Sequence, residues 1–442
     1  MSRNLTQRYT MREFGSSNRF LLGRDYYATL RERICFDRVP PEPTLSAIIT
    51  KDNLVKVFKM RSRTSAGPDG LAWSDYSITE FGDVADLYVD LIRNQGIPGH
   101  FQPAAPKIVY IPKPDGGSRE LAIRTIPERV IAAAVGEAIT PLFEEIFLPC
   151  SFGFRAGRSC QHILALVQHL IEEHGYSAIG KDDIRNAFGA VPIYRVADQL
   201  RSYIEDDGLW HLINSILRGH NQRDIGIDQG DPISPTILNV DLHHILDRHS
   251  IENRGENIPF RYVDDLVVLA RSVSEGSNYL QEVVCPALSH GGYELHDRGE
   301  QVVNLNRRGS SIELLGVSLS LINGTVCFEP TSQAINKLRT GLQQASLKQH
   351  PVASARQALS GWINAKGAVF ENCRADRHYG RISHVLRECG FYELISTRLI
   401  GDMAEQALSQ WNSTRESSVS GYLDTLLTST GDAHAPQFAP AL

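Results

Sequence analysis

The segment PFRYVDDLVVLA (259–270) sets two adjacent aspartates, Asp264 and Asp265, inside a run that is otherwise apolar and aromatic. One continuous strand would bury both carboxylates without partners, which is costly. A hairpin turn at the pair resolves the conflict, because both side chains then project together from its tip. Two like charges that close repel each other, and hard divalent cations with oxygen ligands are the natural counterweight.

A third carboxylate is needed to complete such a site. SAIGKDDI (177–184) reads as a second strand, ended by Asp183 and followed five residues later by Phe188. A carboxylate at that strand end would supply a further arm for two ions roughly 3.5–4 Å apart. One ion would activate a primer 3′-hydroxyl while the other holds a triphosphate and its leaving group in line. Asp182 competes for the role. Asp183 is preferred because Ile184 continues the apolar pattern and the spacing to Phe188 then fits, which leaves Asp182 as a solvated neighbour. The expected catalytic set is Asp183, Asp264 and Asp265, and the expected metal site adds Ile184 to it. The cofactor is expected to be a pair of Mg2+ ions, with Mn2+ as a substitute.

Composition bounds the rest. At 442 residues the chain suits two or three domains that share a core. No stretch reaches the ~20 apolar residues needed to span a bilayer, and the N-terminus lacks the apolar core of a secretory signal. Seven cysteines without CxxC spacing argue for reduced thiols in a cytoplasmic setting. Cys150, Cys160 and His162 lack a fourth ligand and read as small buried residues around a helix start. A net charge of −6 argues against indiscriminate phosphate binding, yet residues 1–70 carry thirteen Lys/Arg against seven Asp/Glu. The pattern fits a narrow basic channel.

Along the chain, 1–60 reads as a basic N-terminal extension. Helix candidates occupy 76–95, 129–147 and 160–173, and further amphipathic helices lie at VADQLRSYI and PTILNVDLHHILDRH. KIVYIP (107–112) and the PDGG turn (114–117) signal a hairpin. IELLGVSL (312–319) and TVCFE (325–329) form a closing hairpin around Asn323-Gly324. His243 and His244 lack metal spacing and read as surface and packing residues. Strands interleaved with helices imply an α+β fold with helices on one face of an antiparallel sheet. The expected units are 61–330, a helical 331–410, and a Ser/Thr/Ala/Pro-rich tail over 411–442.

At GKDDIRNAF the chain resembles the bacterial reverse transcriptases of group II intron, retron and defence-associated type, with blocks in that family's order over roughly 60–370. The resemblance implies a right-hand polymerase with fingers, an antiparallel palm and a helical thumb. It assigns Asp183 to the DIxxxF block and makes Phe188 a steric gate against the 2′-hydroxyl. It makes IPKPDGGSREL a fingers hairpin whose Lys113 and Arg119 reach the triphosphate. GIDQGDPISPTILN resembles the Gln-Gly block, with Gln229 and Gly230 against the incoming nucleotide, although Asp228 stands where the family has Pro or a small residue. SFGFRAGRS implies template contacts by Arg155 and Arg158. Tyr262, Gly361 and Trp362 are expected along the primer–template, the latter two on a thumb helix. The lysine the family carries after the GYELH-like segment is missing, leaving Arg298 or His296 as stand-ins.

The resemblance implies an RNA-directed DNA polymerase that takes dNTPs and an RNA template and releases a DNA product. By elimination among subfamilies, the expected setting is a stand-alone enzyme of antiphage defence working on a structured non-coding RNA, with no membrane partner and homo-oligomerisation open. A mobile-element reverse transcriptase, an RNA-synthesising palm enzyme and a non-catalytic RNA-binding protein are the alternatives.

Overall fold

The computed structural model describes residues 42–61, 65–112, 117–296, 302–371 and 375–428. Residues 1–41, Lys113, most of the PDGG turn, Arg298 and the residues after 428 lie outside the described residues.

Helices α1 (Lys51–Met60) and α2 (Ile78–Arg93) start where sequence chemistry says they should. Thr50 accepts from the Asn53 N–H, and Ser77 and Glu80 close a reciprocal capping box. Their apolar faces meet in an aromatic stack, the Phe58 ring lying 4.7 Å from Trp73 and 4.1 Å from Phe81. Ile48, Ile49, Leu54 and Val57 join the same core as α3 (Ile126–Glu144). The N-terminal extension therefore does not run to residue 60, because 45–60 are integral to the core. Between α2 and α3, strands β1 (Lys107–Pro112) and β2 (Ser118–Ile123) pair antiparallel as a largely exposed hairpin.

The central sheet contains β3 (Ala178–Asp183), β4 (Ile258–Tyr262), β5 (Asp265–Ala270) and β6 (Val302–Asn304), antiparallel throughout, in the order β4-β5-β3-β6. Strand β5 is apolar at every position after Asp265, which is the mark of a strand covered on both faces. Leu266 and Val268 enter the core shared with α3, while Val267 and Leu269 enter a second one with Ile163, Leu166 and Leu170 of α4 (Cys160–His174). Helices on one face are thus half of the arrangement, and α4 covers the other.

The second core also takes in a three-stranded sheet, β7 (Ser311–Leu314), β8 (Val317–Ile322) and β9 (Thr325–Pro330). The run 312–319 is two strands, not one, because Leu315 and Gly316 both take positive φ and reverse the chain. Asn323-Gly324 reverses it again, with φ of 52° and 81°.

Helices α5 (Ser332–Ser346), α6 (Pro351–Asn364), α7 (Ala375–Glu388) and α8 (Thr397–Ser418) follow, with a core of their own around Leu342, Leu359, Ile382 and Ile400. The expected tail from 411 is corrected over its first part. Helical structure continues to Thr428, and Trp411, Leu423 and Leu426 are buried in the second core.

Candidate active site

Asp183 at the end of β3 lies opposite Asp265 at the start of β5, and Tyr262 lies opposite Asp265 on the other side. The Ile184 N–H donates to the Asp264 carbonyl at 2.9 Å, so the strand end and the turn are joined by main chain. In the turn, Val263 has a φ of 62°, an unfavourable conformation for a β-branched residue. Two features hold it there. Gly153 packs so close that a Cβ would lie 2.4 Å from the Val263 nitrogen. The buried Arg261 guanidinium donates to the Val263 carbonyl at 3.0 Å, to Asn239 at 2.8 Å, to Ser151 at 2.7 Å and to both Asp247 oxygens at 2.7 and 2.6 Å. All five of its N–H donors are used.

The electrostatics follow from this crowding. Although Asp265 is exposed, the protein around it strips solvation and Asp264 and Asp183 repel it, pushing its carboxyl up to about 6. Among the described residues, no group of three or more acidic, histidine or cysteine side chains is placed to hold a metal ion. The three aspartates nevertheless have the right chemistry for divalent ions: oxygen donors only, on rigid strand ends, with mutual repulsion that a cation would relieve. Asp182 is not the solvated neighbour expected. It is 2% exposed, because strand alternation turns it to the opposite face, and its carboxylate accepts the Asp183 N–H at 2.8 Å.

Beside the aspartates lies a cleft of ≈ 350 Å³ whose walls include Arg119, Asp183, Ile184, Phe188, Gln229 and Asp264. Phe188 is half-buried, and its carbonyl accepts the Ile227 N–H at 2.9 Å, which ties it to the Gln229 loop. The Gln229 carbonyl accepts the Ala122 N–H at 3.0 Å, and Gly230 takes a φ of 104°, open to glycine and strained for other residues. Asp228 is buried and turned inward onto Arg124 and Arg223. The family departure at this position is therefore an internal ionic contact.

Residues 111–317 match the family model described as "Reverse transcriptase (RNA-dependent DNA polymerase)", a span that holds all three aspartates, Phe188 and Gln229. This segment is a reverse-transcriptase domain. Its similar proteins include a group II intron-encoded protein. It is 28% identical over 165 residues to protein YkfC of Escherichia coli, covering 35% of this chain and 43% of that protein. It is 26% identical over 155 residues to the group II intron-encoded protein LtrA of Lactococcus lactis subsp. cremoris, covering 33% and 26%. The chain thus spans less than half the length of either. The structure of apo telomerase from Candida tropicalis overlaps 80% of this chain and 74% of that one, with 12% identity and a TM-score of 0.38, too distant to transfer any residue.

Not every expected nucleic-acid contact of the reverse-transcriptase domain is free to make one. Arg155 is 4% exposed and donates to Glu144 at 3.0 Å and to the Leu148 and Ser151 carbonyls at 2.8 and 2.9 Å. Arg158 donates to the Pro149 and Ser151 carbonyls and lies over the Phe152 and Tyr422 rings. Both brace the segment that carries Gly153; Arg155 is buried in doing so, whereas Arg158 stays partly exposed. Tyr262 is half-buried between the two cores. Trp362 donates from its indole to the Ala334 carbonyl at 2.8 Å, joining α5 to α6, while Gly361 is exposed with open space above it. The His296 N–H donates to the Asp183 carbonyl at 2.8 Å, placing that segment along the end of β3. His243 is buried, with its imidazole pushed down to about 2 by loss of solvation. The Arg261, Asn239 and Asp247 cluster went unread in the sequence; a lone arginine inside an apolar strand was the available signal.

Proposed function

We propose that the chain is an RNA-directed DNA polymerase that extends a primer with deoxynucleotides on a dedicated, structured non-coding RNA, in the cytoplasm, as part of antiphage defence. The observation that carries the polymerase reading is that Phe188 and Asp183 wall the same cleft as Gln229 and Arg119. Asp183, Asp264 and Asp265, with the Ile184 backbone beside them, would hold the metal, proposed to be Mg2+ with Mn2+ as a substitute. When bound, divalent ions supply Lewis-acid activation of a primer hydroxyl and neutralise triphosphate charge. Arg119 meets the phosphates from the exposed hairpin, with Lys113 proposed as its companion. Phe188 fills the space a 2′-hydroxyl would need. Gln229 and Gly230 present polar groups and bare backbone to the base pair. Gly361 on its exposed helix face is proposed to track the primer–template.

Primer extension on an RNA template with dNTPs or NTPs tests the polymerase reading, and equal use of both would count against it. A mobile-element role is the second reading, favoured by the likeness to an intron-encoded protein. Sequencing nucleic acid that co-purifies with the protein separates the two: one dominant non-coding RNA supports the first, and intron RNA the second. Phage plating on cells that carry Asp264→Ala tests the defence role, since loss of protection is expected.

A further inference from the structure

Gln229 and Gly230 are flanked by two buried acids, Asp228 and Asp231, 8% and 4% exposed. Burying two carboxylates in one short loop is costly unless a cation answers both. Arg124, just beyond the end of β2 and 3% exposed, answers both. Its Nη2 donates to Asp228 Oδ2 at 2.7 Å, whereas its Nε lies 2.7 Å from Asp231 Oδ2 as an ion-pair contact without hydrogen-bond geometry. The same Nη2 donates to the Ile216 carbonyl at 2.8 Å. The second Asp228 oxygen accepts from Arg223, whose Nε is anchored on the Leu217 carbonyl at 2.9 Å. Asp231 Oδ1 also accepts the Ile233 N–H at 3.2 Å. Between these anchors, the Gln229 carbonyl takes the Ala122 N–H, so both ends and the middle of the loop are fixed to β2 or its continuation.

We infer that Arg124 is a positioning residue for nucleotide selection, holding the Gln229–Gly230 loop at a set distance from the hairpin that carries Arg119. This rests on reading the cleft as a nucleotide pocket. Arg124 does not line that cleft. A well-packed apolar cluster would serve stability at least as well as a buried ion cluster. What the guanidinium adds is direction, because its Nη2 meets the Ile216 carbonyl and Asp228 while its Nε lies against Asp231 only when the loop and β2 are in one register. A loop displaced even slightly would hold the base pair badly, and such displacement weakens nucleotide binding while leaving the metal carboxylates in place.

Single-nucleotide incorporation by the purified full chain, as wild type, Arg124→Met, Arg124→Lys, Asp228→Asn and Gln229→Ala, tests this. Arg124→Met is expected to raise the KM for dNTP about tenfold, with kcat within about threefold and an unchanged Mg2+ dependence. Arg124→Lys should recover part of the loss, because it keeps the charge without the fork. Wild-type KM in a folded Arg124→Met protein, beside a raised KM in Gln229→Ala, overturns the inference alone. Wild-type KM in Gln229→Ala overturns the reading of the cleft and the inference with it. Should Arg124→Met fail to fold, Asp228→Asn decides, since it keeps the shape and removes one charge: a raised KM supports the clamp and an unchanged KM refutes it.

Discussion

Asp183 and Asp265 face one another as direct partners in the antiparallel register of β3 and β5. Their separation is set by ladder hydrogen bonds, and the Ile184 N–H fixes the Asp264 carbonyl to the same edge. Ligand arms built on strand ends hold their geometry better than arms on loops. The cost is repulsion, visible in the raised Asp265 carboxyl.

That repulsion gives a pH signature in metal-free protein. The folded Asp265 carboxyl titrates at about 6, above its ordinary value of 3.8. Its contribution to stability is therefore fully present below the lower value and is lost as pH rises through the higher one. Thermal melts in EDTA should show stability falling across this window, and Asp265→Asn should flatten the fall. Adding Mg2+ above pH 6 should raise the wild-type Tm more than that of the variant. Identical slopes in the two proteins would contradict the assignment.

Phe188→Ala should open the cleft floor. Ribonucleotide use relative to deoxynucleotide use, measured as a ratio of kcat/KM values, should rise by roughly 10- to 100-fold. An unchanged ratio would show that the ring is only packing.

Arg261→Met strands the buried Asp247 carboxylate and frees the strained Val263 turn. Urea unfolding should show a loss of about 3–5 kcal/mol. A loss below about 1 kcal/mol, the size expected of an exposed pair, would rule out the bracing role.

Arg155→Met should lower the melting temperature without weakening RNA binding by the folded protein, because the guanidinium is spent on Glu144 and main-chain carbonyls. Filter binding below the melting transition checks this. A selective loss of RNA affinity at wild-type stability would restore the template role.

The juxtaposition of the aspartates was legible because acids set into a hydrophobic pattern are conspicuous: Asp264 and Asp265 interrupt a strand, and Asp183 ends one. Strand β1 could be read to the residue for the same reason of local pattern. What escaped was set by tertiary burial. Arg155 and Arg158 have the composition of a phosphate-binding loop, and only the fold shows the Arg155 donors turned inward. Asp228 looked like a departure from the family until Arg124, distant in sequence, supplied its partner. Trp411, Leu423 and Leu426 are sparse among polar residues, so the helix they anchor read as tail.

Deoxynucleotide incorporation by Asp183→Ala and by the double variant Asp264→Ala/Asp265→Ala, each verified as folded by circular dichroism, is the most direct test of the three-carboxylate site. Both should lose at least ~1000-fold in incorporation rate, because either change removes carboxylate arms of the proposed metal site. Wild-type incorporation by either folded variant would contradict it.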